Sequence, residues 1–239
     1  MMPSPEIMLG LVSKSLLQHP LIKHVYVQDF PRGTQSQIVR WEQKNSPHLL
    51  PPDLKAFLLE SDGAHLSWGT EIDGNTSTEI GCIHVNAFSG LVIVKDEDFF
   101  RSAGVPERIA FELDTCPQTH GRVVLYYPYG NHTVPQVMFI SPDGRWHYIA
   151  ATFGDYFRLA VLNHGIPGWC FAYTEIGLST QALEWMAYLV PHRLRVTRQP
   201  SQEGTTREVD PAELDVEWLL DQSATLKVQQ AAAIATENH

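Results

Sequence analysis

The residues best suited to chemistry lie in one short stretch, Asp114-Thr115-Cys116-Pro117, followed by His120. Cys116 could act as a nucleophile, with His120 as its base and Asp114 as an orienting carboxylate. The same side chains could bind a metal, but one cysteine and one histidine four residues apart match no zinc pattern and lack the remaining ligands. A surface turn after a strand explains them more simply, and a small enzyme built on these three residues stays an alternative.

Cys82 and His84 form a second candidate pair. Their spacing places both side chains on one face of a strand, but no second pair accompanies them. The sequence also contains no phosphate-binding loop and no G-x-G-x-x-G, H-E-x-x-H, G-x-S-x-G or C-x-x-C motif. It therefore predicts no catalytic, cofactor-binding or metal-binding residues.

Composition and charge narrow the class of protein. The chain has 239 residues, of which 44% are hydrophobic and 18% charged, so a globular core is expected. Its 17 basic and 27 acidic residues give a net charge of -10. This balance argues against nucleic-acid binding, because phosphate neutralisation needs clustered lysine and arginine.

The same sequence argues against a membrane or secreted protein. No apolar run approaches the ~18 residues of a membrane span, and Glu6 with no basic cluster before Met8–Val12 does not fit a signal peptide. Three scattered cysteines are typical of free thiols in a reducing cytosol. We therefore expect a soluble, intracellular protein.

Hydrophobic periodicity predicts the elements that position these residues. Helices are predicted over 5–18, 37–44, from Pro51 to a left-handed C-cap at Gly63, from Thr152 to Gly165, and from Ser179 to Val190. Short strands are predicted over 24–27, 65–68, 79–84, 91–94, 109–113, 123–127, 137–140 and 145–149. Helices first, an antiparallel sheet in the middle and helices again indicate the α+β class.

Three of these elements carry a predicted burial pattern. Apolar residues at every position of Val123–Tyr127 predict a central strand covered on both faces. Alternation over 109–114 predicts a half-buried strand. The last helix is predicted to bury Leu183, Met186, Ala187 and Val190.

The C-terminal segment differs from the rest of the chain. Residues 1–192 are predicted to form the α+β domain, and residues 193–239 a polar linker followed by an acidic helix that starts at Pro211. Residues 203–221 contain seven acids and one base, and only a thin apolar stripe that includes Leu214 and Trp218. The segment is interpreted as a docking appendage, or as a helix that folds back onto its own domain.

Several blocks of sequence resemble one family in their order and spacing. They are Trp41-Glu42-Gln43-Lys44-Asn45, Leu50-Pro51-x-Asp53-Leu54-Lys55, Asp62-Gly63-x-His65-Leu66-Ser67-Trp68, Phe111-Glu112-Leu113-Asp114, and Ile166-Pro167-x-Trp169. Over about residues 36–190 the chain resembles the family of the second, non-catalytic subunit of the tubulin polyglutamylase complex, in the SUKH (Smi/Knr-like) superfamily. The resemblance implies a SUKH-like domain, with a central, mostly antiparallel sheet flanked by helices and a C-terminal helical appendage.

The resemblance also implies a function. It suggests a scaffold or adaptor subunit without cofactors, whose partners include a tubulin–tyrosine-ligase-like catalytic subunit that uses ATP to glutamylate tubulin tails. It implies a cytoplasmic and cytoskeletal location, at microtubules and at the centrosome or base of the cilium. Contact with tubulin would be indirect, since a chain of charge -10 repels acidic tubulin tails.

The expected partner-binding residues combine the family blocks with aromatic residues that anchor interfaces. They are Trp41, Glu42, Lys44, Pro167, Trp169, Leu214 and Trp218. Trp41 and Trp169 could instead belong to the core, which is the preferred interpretation of both, whereas the two interpretations of Trp218 stay equally open. The alternatives to the complex subunit are the small enzyme and a stand-alone SUKH-type adaptor or immunity-like protein with another partner.

Overall fold

A computed structural model describes residues 4–72, 76–94, 109–115, 117–128 and 130–197. Its helices are α1 (Pro5–Leu16), α2 (Gln35–Lys44), α3 (Pro52–Glu60), α4 (Phe153–Leu162), α5 (Thr180–Leu189) and α6 (Pro191–Thr197). Its strands are β1 (His24–Gln28), β2 (Ala64–Ile72), β3 (Thr76–Val85), β4 (Ile109–Asp114), β5 (Arg122–Tyr127), β6 (Gln136–Ile140) and β7 (Trp146–Ala150). The predicted α+β class is confirmed.

The strands form two antiparallel sheets. The first has the order β1-β2-β3 and the second the order β4-β5-β6-β7. A main-chain hydrogen bond of 2.8 Å from Asn86 N to Leu113 O joins the end of β3 to β4. The expected antiparallel sheet is therefore present, but it is divided into two parts.

Local signals explain where several helices begin. Thr34 and Gln37 form a complete capping box at α2, and the hydroxyls of Thr152 and Ser179 accept main-chain N–H groups at α4 and α5. The predicted C-cap at Gly63 is wrong. Helix α3 ends at Glu60 with an extended cap residue, and Gly63, with φ of 112°, instead forms the turn into β2.

Strand β5 is central, as predicted. Val123, Val124 and Leu125 are all at most 1% exposed, so both of its faces are covered. The half-buried pattern predicted for β4 is wrong, because Ala110 and Asp114 are buried too. Ala110 packs in a small cluster with residues from its neighbours, namely Val94, Val124 and Ile140.

Two further expectations need correction. Leu91–Val94 is not a strand but makes one isolated bridge, from Ile93 to Phe111, with Val92 and Ile93 almost half exposed. Helix α5 buries Ala182, Met186 and Leu189, whereas Leu183 and Ala187, which were expected inside, are exposed. Helix α5 faces the core with this side because the Trp185 ring packs edge-on against Trp68, with ring centroids 5.2 Å apart.

The C-terminal segment is only partly described. Helix α6 covers residues 191–197, which include the first residues of the predicted linker. Residues 198–239, with Leu214 and Trp218, lie outside the described residues, so the domain boundary and the acidic helix stay predictions. Among the described helices, none combines the length and apolarity needed to cross a membrane.

Candidate partner-binding site

Trp41 is held in the core by α2. Its side chain is 6% exposed, its indole N–H donates to the carbonyl of Leu91 at 3.0 Å, and its ring packs on Phe111 with centroids 4.6 Å apart. The capping box at Thr34 fixes the start of the helix that carries it. Trp41 therefore positions the surface of α2 rather than forming it.

Glu42 and Lys44 follow on the same helix but have different environments. The Glu42 carboxylate lies 2.6 Å from the ammonium of Lys55 and accepts the main-chain N–H of Leu50 at 3.1 Å. It thereby fixes the chain between α2 and α3. Lys44 is exposed near the end of α2, so it is the predicted residue of this helix that is most accessible to a partner.

Pro167 and Trp169 lie in the turn after α4. His164, Gly165 and Gly168 have φ of 52°, 61° and 67°, and this left-handed path reverses the chain. Trp169 is 4% exposed and stacks on Tyr156 with centroids 6.1 Å apart. The preferred interpretation of Trp169 as a core residue is confirmed. Pro167 is half-buried.

The structure thus forms two groups of predicted partner-binding residues. Trp41, Glu42 and Lys44 share α2, while Pro167 and Trp169 share the turn, and no hydrogen bond, ion pair or ring contact joins the groups within the described residues. Leu214 and Trp218 lie outside that part of the chain. Their contact with a partner stays a prediction.

Asp114 has structural partners. It is 4% exposed and accepts hydrogen bonds from Thr119 Oγ1 at 3.0 Å and from Tyr156 OH at 3.1 Å. His120 is exposed, with φ of 56°, and Cys116 lies outside the described residues. The geometry of Asp114 is that of a buried carboxylate held by two hydroxyls, which ties β4 to α4.

The buried thiol and phenol next to Asp114 are held in their neutral forms. Burial, and then the nearby carboxylate of Asp114, raise the pKa of Cys170 well above its ordinary value. The same two causes raise the pKa of Tyr156. A protonated thiol is a poor nucleophile, so Cys170 is suited to packing and not to covalent chemistry.

Two half-buried histidines meet on neighbouring strands of the first sheet, and only one of them was a candidate from the sequence. His84 pairs with Cys82 in the sequence, and the register of β2 and β3 places His65 opposite it, with Nδ1 atoms 3.3 Å apart. His84 Nε2 lies 3.0 Å from Asn86 Oδ1, so the His84 side chain contacts both His65 and Asn86. Burial, and then His84, lower the pKa of His65.

These side chains form a small hydrogen-bond network. The sulfur of Cys82 lies 3.7 Å from His65 Nδ1, yet no group of three His, Cys, Asp or Glu side chains in the described ranges is placed to hold a metal ion. A signal for His65 was present in the sequence, because His65, like Cys82 and His84, lies in a predicted strand. The register needed to bring them together was not predictable.

A sequence model of the SMI1 / KNR4 family (SUKH-1) matches residues 33–159, just over half of the chain. The chain belongs to this family. The matched range runs from the start of α2 into α4, so it includes Trp41 and the Asp114–Tyr156 contact and stops before Trp169.

Three curated proteins are similar over a longer range. A human protein named tubulin polyglutamylase complex subunit 2 is 27% identical over 75% of this chain and 68% of its own length. Rat and mouse proteins of the same name are 24% and 25% identical, over 85% and 75% of this chain and 77% and 69% of their own lengths. No solved structure matches the chain.

Proposed function

We propose that this chain is a non-catalytic scaffold or adaptor subunit of a tubulin polyglutamylase complex. The observation that carries the proposal is the similarity to three proteins that bear this name, over 75% to 85% of the chain. Glutamate addition would be performed by a separate tubulin–tyrosine-ligase-like subunit that uses ATP. The chain would act in the cytoplasm, at microtubules and at the centrosome or base of the cilium.

The candidate site supports a role without chemistry. Among the groups considered for chemistry, Asp114 is bound by two hydroxyls, and His84 of the Cys82–His84 pair contacts His65 and Asn86. His120 is exposed and is not joined to Asp114 by a hydrogen bond or ion pair within the described residues. The net charge of -10 favours binding to other subunits over direct contact with acidic tubulin tails.

Reconstitution of the complex tests the proposal. The chain is co-expressed with a tagged tubulin–tyrosine-ligase-like subunit and the remaining subunits, and glutamate incorporation into tubulin is measured with and without it. We expect the chain to co-purify, to raise incorporation, and to have no ligase activity alone. Full incorporation without the chain, or a stable chain that never co-purifies, would refute the complex role and favour a stand-alone adaptor.

A pair of charge reversals tests the surface of α2. Lys44→Glu changes the exposed predicted residue of α2, and Lys14→Glu changes an exposed lysine on α1 as the matched control. If α2 faces another subunit, Lys44→Glu reduces co-purification and Lys14→Glu does not, while both variants keep the melting temperature of the original chain. Equal co-purification of both variants would remove Lys44 from the interface.

A further inference from the structure

Strand β1 presents an open edge. It is the first strand of the three-stranded sheet and pairs only with β2 within the described residues, in a regular register without a bulge. Four of its five residues are exposed, including Tyr26 at 58% and Val27 at 39%. Natural edge strands are commonly protected by proline, bulges or inward charges. The strand contains no proline and no acid, and its residues make no main-chain hydrogen bond besides those to β2 within the described part of the chain. The N–H and C=O groups on its outer side are therefore available to another strand.

A cleft opens at the Gln28 end of this strand. It has a volume of about 450 Å³ and lies between the first turns of α1, the chain that follows β1, and the end of α3. Leu9, Phe30 and Ala64 supply apolar surface. Leu9 and Ala64 are themselves buried and fix the wall in place. We call this site the edge cleft.

The charges that line the edge cleft are unequal. Glu6, Asp29 and Glu60 contribute three carboxylates, and Arg32 contributes one guanidinium. None of the four makes an ion pair or a side-chain hydrogen bond with another described residue, and all are exposed. An apolar wall beside surplus carboxylates suits a long basic side chain, which packs its aliphatic stem and presents its charge to the rim.

We propose that the edge of β1 and the edge cleft together bind an extended, basic segment of a partner protein. The segment adds a fourth strand beside β1, and one of its lysine or arginine side chains enters the cleft. Main-chain hydrogen bonds supply affinity in this mode, and the side-chain pocket supplies specificity. A second copy of the chain fits less well, because each copy carries a net charge of -10. The inference rests on the proposed function for the setting in which the partner is met.

Three synthetic peptides test strand addition and charge separately. The probe is acetyl-TVRVRVT-amide, the charge control is TVEVEVT, and the strand control is TVRPRVT, whose proline cannot donate to a ladder. Binding to the full chain is measured by calorimetry at low salt. We expect saturable binding of the first peptide only, with increased amide-exchange protection at residues 24–28. Equal binding of the proline peptide, or no saturable binding of any peptide, would overturn the proposal.

Matched variants locate the site. Glu6→Gln with Glu60→Gln removes two charges of the cleft, and Glu175→Gln with Glu184→Gln removes two exposed charges outside it. We expect the first pair to weaken the arginine peptide about three- to tenfold, the loss of two exposed ion pairs, and the second pair to leave it unchanged. Val27→Lys should weaken binding similarly, with Val134→Lys as its control. Equal effects of each variant and its control would refute the edge cleft as the site.

Two further measurements distinguish self-association at the edge of β1, failure of the edge-cleft proposal and failure of the proposed function. Concentration-dependent dimers in sedimentation, lost in Val27→Lys, would show that a second copy occupies the edge and would overturn the partner proposal. Co-purification with the polyglutamylase subunits tests the proposed function independently. A chain that binds the arginine peptide but never co-purifies keeps the edge cleft and loses the complex role, whereas the reverse result keeps the complex role alone.

Discussion

The buried imidazole of His164 makes the fold sensitive to acid. The side chain is 5% exposed, and its Nδ1 has no hydrogen-bond partner among the described residues. Burial is the main cause that lowers the pKa of His164 from 6.5 to about 3, with smaller contributions from His19 and His192. The folded protein therefore holds this ring neutral at pH values where the unfolded chain would protonate it.

The sign and size of the effect follow from this difference. The unfolded state binds more protons between pH 6.5 and about 3, so the free energy of unfolding is highest above pH 6.5 and falls as the pH decreases. One pKa unit corresponds to 1.36 kcal/mol, so His164 alone should destabilise the protein by about 2 kcal/mol at about pH 5. That is a substantial part of the roughly 5–15 kcal/mol that holds a typical domain.

His164→Asn tests this assignment, because asparagine tolerates the left-handed backbone at this position and does not titrate. Urea unfolding is followed by tryptophan fluorescence at about pH 7.5 and about pH 5 for both proteins. We expect the original chain to lose about 2 kcal/mol more than the variant across this interval. The other histidines with lowered pKa values act in both proteins and cancel in the comparison. An equal loss in both proteins would refute the assignment to His164.

Three other predictions concern packing and backbone geometry. Trp169→Ala removes a ring that is 4% exposed and stacked on Tyr156. It should lower the free energy of unfolding by roughly 3–5 kcal/mol and reduce the melting temperature of the free chain. An unchanged melting temperature would contradict the core assignment. Gly165→Ala places a Cβ 2.3 Å from the Cys82 carbonyl oxygen at φ of 61°. It should therefore destabilise the protein far more than Gly130→Ala, where φ is 75° but the space is open. Similar melting temperatures of the two variants would show that the close approach does not matter. Glu42→Gln keeps the acceptor for Leu50 but loses the charge beside Lys55, so it should cost about 1 kcal/mol or less. The difference in stability between the two proteins should shrink as salt is added; no difference at low salt would count against the ion pair.

Local sequence patterns predicted most of the elements because their causes are local. The hydroxyl of Thr152 accepts the N–H of Asp155 within one helical turn, and the apolar run Val123–Tyr127 has the composition of a strand buried on both sides. Each signal depends on neighbours in the chain. Such signals identify an element and its burial, but they do not state which other element covers it.

The wrong predictions of burial concern positions where residues distant in the sequence determine whether a side chain is buried. Ala110 is buried because Val94 and Ile140 reach it from other parts of the chain, and Leu183 is exposed because Trp185 packs on Trp68. The candidate site likewise combines features that local sequence determines with features that distant residues determine. The helix of Trp41 was predictable, whereas the opposition of His65 and His84 depends on a strand register that no local pattern specifies.

The joint between the two sheets has an evolutionary consequence. Asn86 N donates to Leu113 O, the Asn86 amide donates to the carbonyl oxygens of Gly90 and Glu112, and Thr115 Oγ1 donates to Asn86 Oδ1, so Asn86 is the centre of the joint. Substitutions at the exposed positions of β1, such as Tyr26 and Val27, leave this joint unchanged, provided that Asn86 is retained. Descendants of this fold can therefore acquire new recognition properties on the three-stranded sheet while inheriting an unchanged four-stranded one.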